Sequence, residues 1–327
     1  MRIRQAPPWL VVLALVIAGS WAHSLLAQPR QATPPFETIQ IRPNVYVIFG
    51  AGSNIAVHVG EDGVVLVDSG SAGTSDRVMA AVKAITNQPI RMIINTSADA
   101  DHVGGNEAIA SAGSSMINRD TFNADNHATV IAHENVLLRM SGSSGAESFP
   151  AGAWPDVTYT QRYKPMYLNE DAVIVMRQLG AHSDGDSMVQ FRRADVFVTG
   201  DILDLRQFPA IDPKKGGSIQ GELEALNLLL DLTVPSIPFQ AKPGRTLLVP
   251  GHGRVSDFAE LVEYRDMVTI IRDTIQAMID KGMTLAQVKT ANPTQPFARY
   301  GATSGPWTTE MFVEAIYNGL KNPPGKS

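Results

Sequence analysis

The sequence predicts an α+β fold in which two β-sheets pack face to face and helices cover their outer sides. β-branched runs separated by glycine-containing turns come first, and a helix and a buried strand follow them. The second half returns to strands and then helix without repeating the sequence. No change of composition separates the halves, so residues 36–327 are expected to form a single domain.

The first runs are Val45 to Phe49, Asn54 to Val59 and Val64 to Val67. In the second of these Ile55, Val57 and Val59 share one face, and Ala56 and His58 share the other. A helix is expected from about Ser75, where Val78, Val82 and Ile85 stand one and two turns apart. Ile90 to Asn95 reads as a buried strand running into a polar loop, Thr96 to Asn106. A helix over Asp120 to Met140 and a mobile surface loop over Ser141 to Pro155 are expected next. Strands follow at Ala172 to Met176, Met188 to Phe191 and Val196 to Thr199, then a helix near Gln220 to Leu232. Arg245 to Val249 is another buried strand ending in PGHG. After it comes a long helix, opened by a capping box of Asp257 with Glu260 and stopped by Gly282.

Residues 1–27 do not belong to this fold. Arg2 and Arg4 precede an apolar stretch, Trp9 to Ala18, and small residues follow at Ser20, Ala22 and Ala27. This is the pattern of a secretory signal peptide cleaved after Ala22 or Ala27. The apolar run falls short of the roughly 20 residues of a membrane span, so no stable span is expected after cleavage. Residues 28–35 form a leader, and the expected location is the periplasm or the exterior. Removing residues 1–27 takes away two arginines and no acid, which moves the net charge from −5 to −7. That charge, with no run of Lys or Arg, argues against nucleic acid as a partner and leaves a small-molecule substrate. With no cysteine, disulfides, thiolate ligands and a cysteine nucleophile are excluded.

The polar residues of interest stand directly after strands. Asp68 ends VVLVD; Asp99, Asp101 and His102 follow RMIIN; His182 follows VIVMRQLG; Asp201 follows DVFVTG; His252 follows TLLVP. Strand ends that share one edge of a sandwich bring such side chains together. Imidazole and carboxylate are the ligands that suit zinc, iron and manganese. His58, on a strand face, and His127 and His133, on the expected helix, read as solvated or packed structural residues. Lys214 and Lys215 read as a solvated loop rather than a site for a substrate carboxylate.

INTSADADHVGGN, ending at Asn106, resembles the signature loop of the metallo-β-lactamase superfamily, INTHxHxDHxGGN. GAHSDGD (180–186) is similar to its second histidine motif, VTGD (198–201) to its bridging aspartate, PGHG (250–253) to its last histidine, and LVDSG (66–70) to its early strand. The segments INRDTF (117–122), IAHEN (131–135) and FPAIDPKKGGSIQG (208–221) resemble exported members near the glyoxalase II and quinoprotein-relay groups. The resemblance implies a four-layer αββα sandwich with a hydrolytic site for one or two divalent ions, zinc first and iron or manganese as alternatives. It implies metal ligands Asp99, Asp101, His102, His182, Asp201 and His252. Asp68 and Ser97 would support them from behind, Asp101 would hold the attacking water, and Gly104 and Gly105 would let the loop turn tightly beneath.

One departure stands out. Two histidines of the family pattern are Ser97 and Asp99 here. Flavodiiron members of the superfamily also have a carboxylate at the matching position. Two divalent ions with Asp99, Asp101, Asp201 and one hydroxide are neutral together, whereas the two-histidine version carries one positive charge. The expected activity is hydrolysis of a small ester, lactone, lactam or thioester by a metal-bound hydroxide. The alternative is a weakly active or non-catalytic binding protein of the same fold.

Overall fold

The computed structural model describes residues 36–116, 126–142, 149–178, 180–236 and 245–322. The signal peptide and leader over residues 1–35, and the INRDTF segment, lie outside the described residues. Phe36 to Ser327 groups as one compact unit.

Seven strands make the first sheet and lie side by side in chain order. They are β1 (Glu37–Arg42), β2 (Val45–Ala51), β3 (Ser53–Gly60), β4 (Gly63–Val67), β5 (Ile90–Ile94), β6 (Thr129–His133) and β7 (Val157–Tyr159). The first four run antiparallel, and β4 through β7 pair in parallel. The second sheet holds β8 (Tyr163–Leu168), β9 (Asp171–Arg177), β10 (Ser187–Phe191), β11 (Val196–Asp204) and β12 (Leu247–His252). Its order is β12-β11-β10-β9-β8, with only β11 and β12 parallel among these pairs.

The period-2 alternation expected for β3 holds. Ala56 turns into the core between the sheets, where Val65, Val67 and Ile94 meet Val175, Val189 and Val198. Ile55 and Val57 turn outward and pack with Val78 and Val82 of helix α1 (Ser75–Ile85). Helices α2 (Ala100–Val103) and α3 (Asn106–Ala112) follow β5. On the far side of the second sheet lie α5 (Ile219–Leu232), α6 (Phe258–Asp280), α7 (Leu285–Ala291) and α8 (Thr309–Lys321), which bury Leu226, Ile271, Val288 and Phe312 in one core with Phe197 and Met188. Helices outside two facing sheets make the four-layer αββα sandwich.

Several expectations need correction. Asp120 to Met140 is not one helix: its described part is β6 followed by a short helix, α4 (Glu134–Met140). His133 ends that strand and caps that helix, its Nδ1 accepting from the Asn135 amide. His127 lies outside any helix and pairs with Asp156 at 2.9 Å. Beyond residue 148 the Ser141 to Pro155 segment is a surface loop in part: Pro150 to Gly152 are exposed, but Ala153 is buried beside Val136 and Met140. Asp257 caps α6 through Ala259 N and Glu260 N, but the Glu260 carboxylate turns to Arg254 Nη1 at 2.7 Å and the reciprocal half of the box does not form. Among the described residues no helix is long and apolar enough to cross a membrane.

Candidate metal centre

The expected strand ends meet at one edge of the sandwich. Asp68 follows β4 with φ +66°, a left-handed conformation that Asp tolerates better than most residues. This turn sends its carboxylate under the next loop. Its Oδ1 accepts from Thr96 N at 2.8 Å, and its Oδ2 accepts from Thr96 Oγ1 at 2.7 Å and from His102 Nδ1 at 2.8 Å. Asp68 and His102 are fully buried. The four-residue helix α2 presents Asp101 and His102 side by side and is anchored from β3 and the β4 end. Ser53 Oγ donates to Asp101 O at 2.7 Å, and Ser69 N and Oγ both donate to His102 O. From the other sheet, β11 supplies Asp201 and the end of β12 supplies His252. Asn54 clamps the PGHG turn by donating to Pro250 O and Gly253 O.

Gly104 and Gly105 are needed for a reason other than the one expected. Their φ values are −63° and −87°, so torsion does not demand glycine. Space does: a Cβ on Gly104 would lie 2.5 Å from Ala100 O and Ala72 N, and one on Gly105 would collide with Ser69 O.

Two groups of three side chains converge in this way, Asp101–His102–His252 and Asp99–His182–Asp201. In the first group His102 donates through Nδ1 to Asp68, which leaves the Nε2 lone pair facing Asp201 Oδ1 at 3.2 Å. His252 Nε2 lies 3.1 Å from Asp101 Oδ2 and 3.4 Å from Asp201 Oδ1. Lone pairs of two imidazoles and two carboxylates converging in this manner call for a cation. Without one, burial alone would lower the His102 pKa, but the charges of Asp201 and Asp68 hold it well above the usual histidine range. Burial works against the Asp201 charge too, yet His102, His182 and His252 hold its pKa below the carboxylate range.

A segment of the chain, residues 48–115, matches the model of the metallo-beta-lactamase superfamily. Among solved structures, the stereoselective inverting sec-alkylsulfatase Pisa1 from Pseudomonas sp. is similar at 15% identity, with a TM-score of 0.62 over 86% of this chain and 50% of that one. The present chain thus spans about half the length of that sulfatase. A metallo-beta-lactamase from Pontibacter korlensis is similar at 17% identity, with a TM-score of 0.53 over 72% of this chain and 99% of that one. The corresponding figures for TMB-1 are 14%, 0.52, 72% and 98%. No curated protein matches. The chain has the metallo-β-lactamase fold.

On this metallo-β-lactamase fold the two groups differ in fit. Ligand atoms about 2.0–2.1 Å from a tetrahedral ion stand about 3.3 Å apart. The 3.1, 3.2 and 3.4 Å spacings of the Asp101–His102–His252 group with Asp201 match that edge. In the other group His182 Nε2 is 2.6 Å from Asp99 Oδ2, a direct hydrogen-bond distance, and 3.8 Å from Asp201 Oδ2. His182 Nδ1 donates to Ala210 O, so a proton on Nε2 makes the ring an imidazolium. Against the cost of its burial, Asp99 and Asp201 push the His182 pKa up to about 10. Burial would raise the Asp99 carboxyl, but His182 and Lys215 outweigh it and hold the group below the carboxylate range. Ser97 is buried beneath, its Oγ accepting from Asp99 N at 3.3 Å, and it belongs to neither ligand group.

The residue that sequence reading passed over is Lys215. It is not a solvated loop residue: its Nζ reaches Asp99 Oδ1 at 2.5 Å. Lys214 beside it is exposed. The two lysines, the candidate ligands other than the buried His102, and Ile211, Trp307 and Met311 line a cavity of about 760 Å³. Behind His182 lie two more buried acids. Burial pushes the Asp186 carboxyl up to about 6 and raises Glu222 further, whose two oxygens have no hydrogen-bond partner.

Proposed function

We propose that this protein is a divalent-metal hydrolase acting on a small ester, lactone, lactam or thioester. The observation that carries the reading is the group Asp101, His102, His252 and Asp201, whose spacing fits a tetrahedral ion at the floor of the cavity. An ion held there would supply a Lewis acid and an acidified water. Zinc suits a donor set with two imidazoles, and iron or manganese suits its carboxylates. Asp68 fixes the His102 tautomer so that Nε2 points at the ion. Asp101 faces the cavity and is the group placed to take a proton from a water poised for attack. Trp307, Met311 and Ile211 offer an apolar wall for the body of the substrate, and Lys214 a cation for an anionic substituent.

The test is elemental analysis of the purified protein together with hydrolysis of a panel of p-nitrophenyl esters, lactones, thioesters, nitrocefin and a secondary alkyl sulfate. At least one equivalent of a divalent ion and turnover of one carbonyl ester class are expected. Bound metal with no turnover would favour the binding-protein alternative. Turnover of the alkyl sulfate alone would move the substrate class to sulfate esters. A chain that stays metal-free after dialysis against Zn, Mn and Fe(II) ends the reading.

We also propose export, from the Arg2/Arg4, Trp9 to Ala18 and Ala22/Ala27 pattern. Mass spectrometry of the protein from its native host is expected to find an N-terminus at His23 or Gln28, and an intact Met1 would refute cleavage.

A further inference from the structure

The Asp99–His182–Asp201 group carries a cation of its own. Lys215 Nζ stands 2.5 Å from Asp99 Oδ1, while Asp99 Oδ2 is taken by His182 Nε2 at 2.6 Å. Both oxygens of the carboxylate that replaces a histidine of the family pattern are therefore engaged. The backbone holds the lysine in place from three sides. Its carbonyl accepts from Asp184 N and from Arg139 Nη2, each at 2.8 Å, and its amide donates to Asp212 O at 3.0 Å. Asp212 N in turn donates to His182 O at 3.0 Å, so the lysine turn and the His182 loop form one hydrogen-bonded unit. Asp212 Oδ2 adds a second carboxylate 3.8 Å from the ammonium.

We infer that Lys215 stands in for a metal ion in the Asp99–His182–Asp201 group, so that the protein binds a single divalent ion at Asp101, His102, His252 and Asp201. The charge count supports this. A second carboxylate next to Asp201 without a neighbouring cation would leave the cavity floor strongly negative, and an ammonium neutralises Asp99 without an ion. Donor spacing supports it independently. The 2.6 Å and 3.8 Å separations in the Asp99 group bracket the tetrahedral edge without matching it, while the other group matches it. A divalent ion entering the Asp99 group would have to part the Asp99–His182 contact and sit beside a fixed positive charge.

The inference rests on the proposed metal-dependent reading, and the experiment separates the two. Wild type, Lys215→Met, Lys215→Arg and Asp99→Asn are saturated with zinc, desalted, and counted by native mass spectrometry and elemental analysis, with circular dichroism to verify folding. One equivalent is expected in wild type, in Lys215→Arg and in Asp99→Asn, and two in Lys215→Met. Two equivalents in wild type, falling to one in Asp99→Asn, would overturn the inference and leave the proposed function standing. Lys215→Met remaining at one would also overturn it, because something other than the ammonium would then keep the second ion out. If Lys215→Met does not fold, the wild-type and Asp99→Asn counts decide. A wild type that takes up no ion overturns both readings.

Discussion

His252→Ala is expected to strip the protein of its divalent ion and reduce hydrolysis to background while leaving the fold intact. His252 stands at the rim, partly exposed, and its recorded polar contacts are with Asp101 and Asp201 at the candidate centre. Truncating it removes little packing, so lost stability reports lost ion binding. With free ion at 100 times its Kd, linkage contributes about 2.7 kcal/mol. For a domain somewhat above 150–250 residues that corresponds to about 5–10 °C in Tm, at about 2–4 °C per kcal/mol. Differential scanning fluorimetry with and without EDTA checks this. EDTA should lower the wild-type Tm to the value of the variant and do nothing further to the variant. A variant that keeps its metal and its EDTA response would remove His252 from the ligand set.

The seven residues gathered at the sheet edge were legible because each comes soon after an apolar run that reads as a strand. A sandwich gives such positions few places to go: Asp68 follows β4, His252 ends β12, Asp201 lies within β11 just past its apolar start, the loop after β5 supplies Asp99, Asp101 and His102, and the loop after β9 supplies His182. What was not legible depends on partners distant in sequence. Nothing near Lys215 reveals Asp99, which lies 116 positions away. The signal available was charge: a carboxylate in place of an imidazole needs a cation, and a lysine pair stood nearby in the chain order of motifs. Edge strands were missed for a different reason. β1 is largely exposed, so its alternation has no apolar face to display, and β8 contains Pro165, which a sheet tolerates at its edge. β6 and α4 were read as one helix because Val130 and Ile131 stand two helical turns from Leu137 and Leu138, and the polar His133 to Asn135 between them fit the outer face of such a helix. The β-branched Thr129, Val130 and Ile131 were the available sign of a strand.

Asp68→Asn is expected to weaken metal binding by about 10–100-fold, the range found when a group supporting a histidine ligand is lost. Asn accepts the left-handed backbone that Asp68 adopts, so the substitution adds no torsional strain and isolates the change in hydrogen bonding. The wild-type carboxylate accepts three hydrogen bonds, two from Thr96 and one from His102 Nδ1. An amide keeps one acceptor oxygen. With that oxygen on Thr96 N, its NH₂ faces the Thr96 hydroxyl and His102 Nδ1–H, donor against donor. The ring relieves this by moving its proton to Nε2, the atom that faces Asp201, and there it can no longer serve as a ligand. Thr96 and His102 are buried, so the misfit also costs stability, about 1–3 kcal/mol for one unsatisfied buried group. Zinc affinity measured by competition with a chromophoric chelator, alongside Tm in EDTA, separates the two effects. A lower Tm in EDTA with unchanged zinc affinity would make Asp68 a structural residue alone. A weaker zinc site in a variant that remains folded would show that Asp68 sets the His102 tautomer.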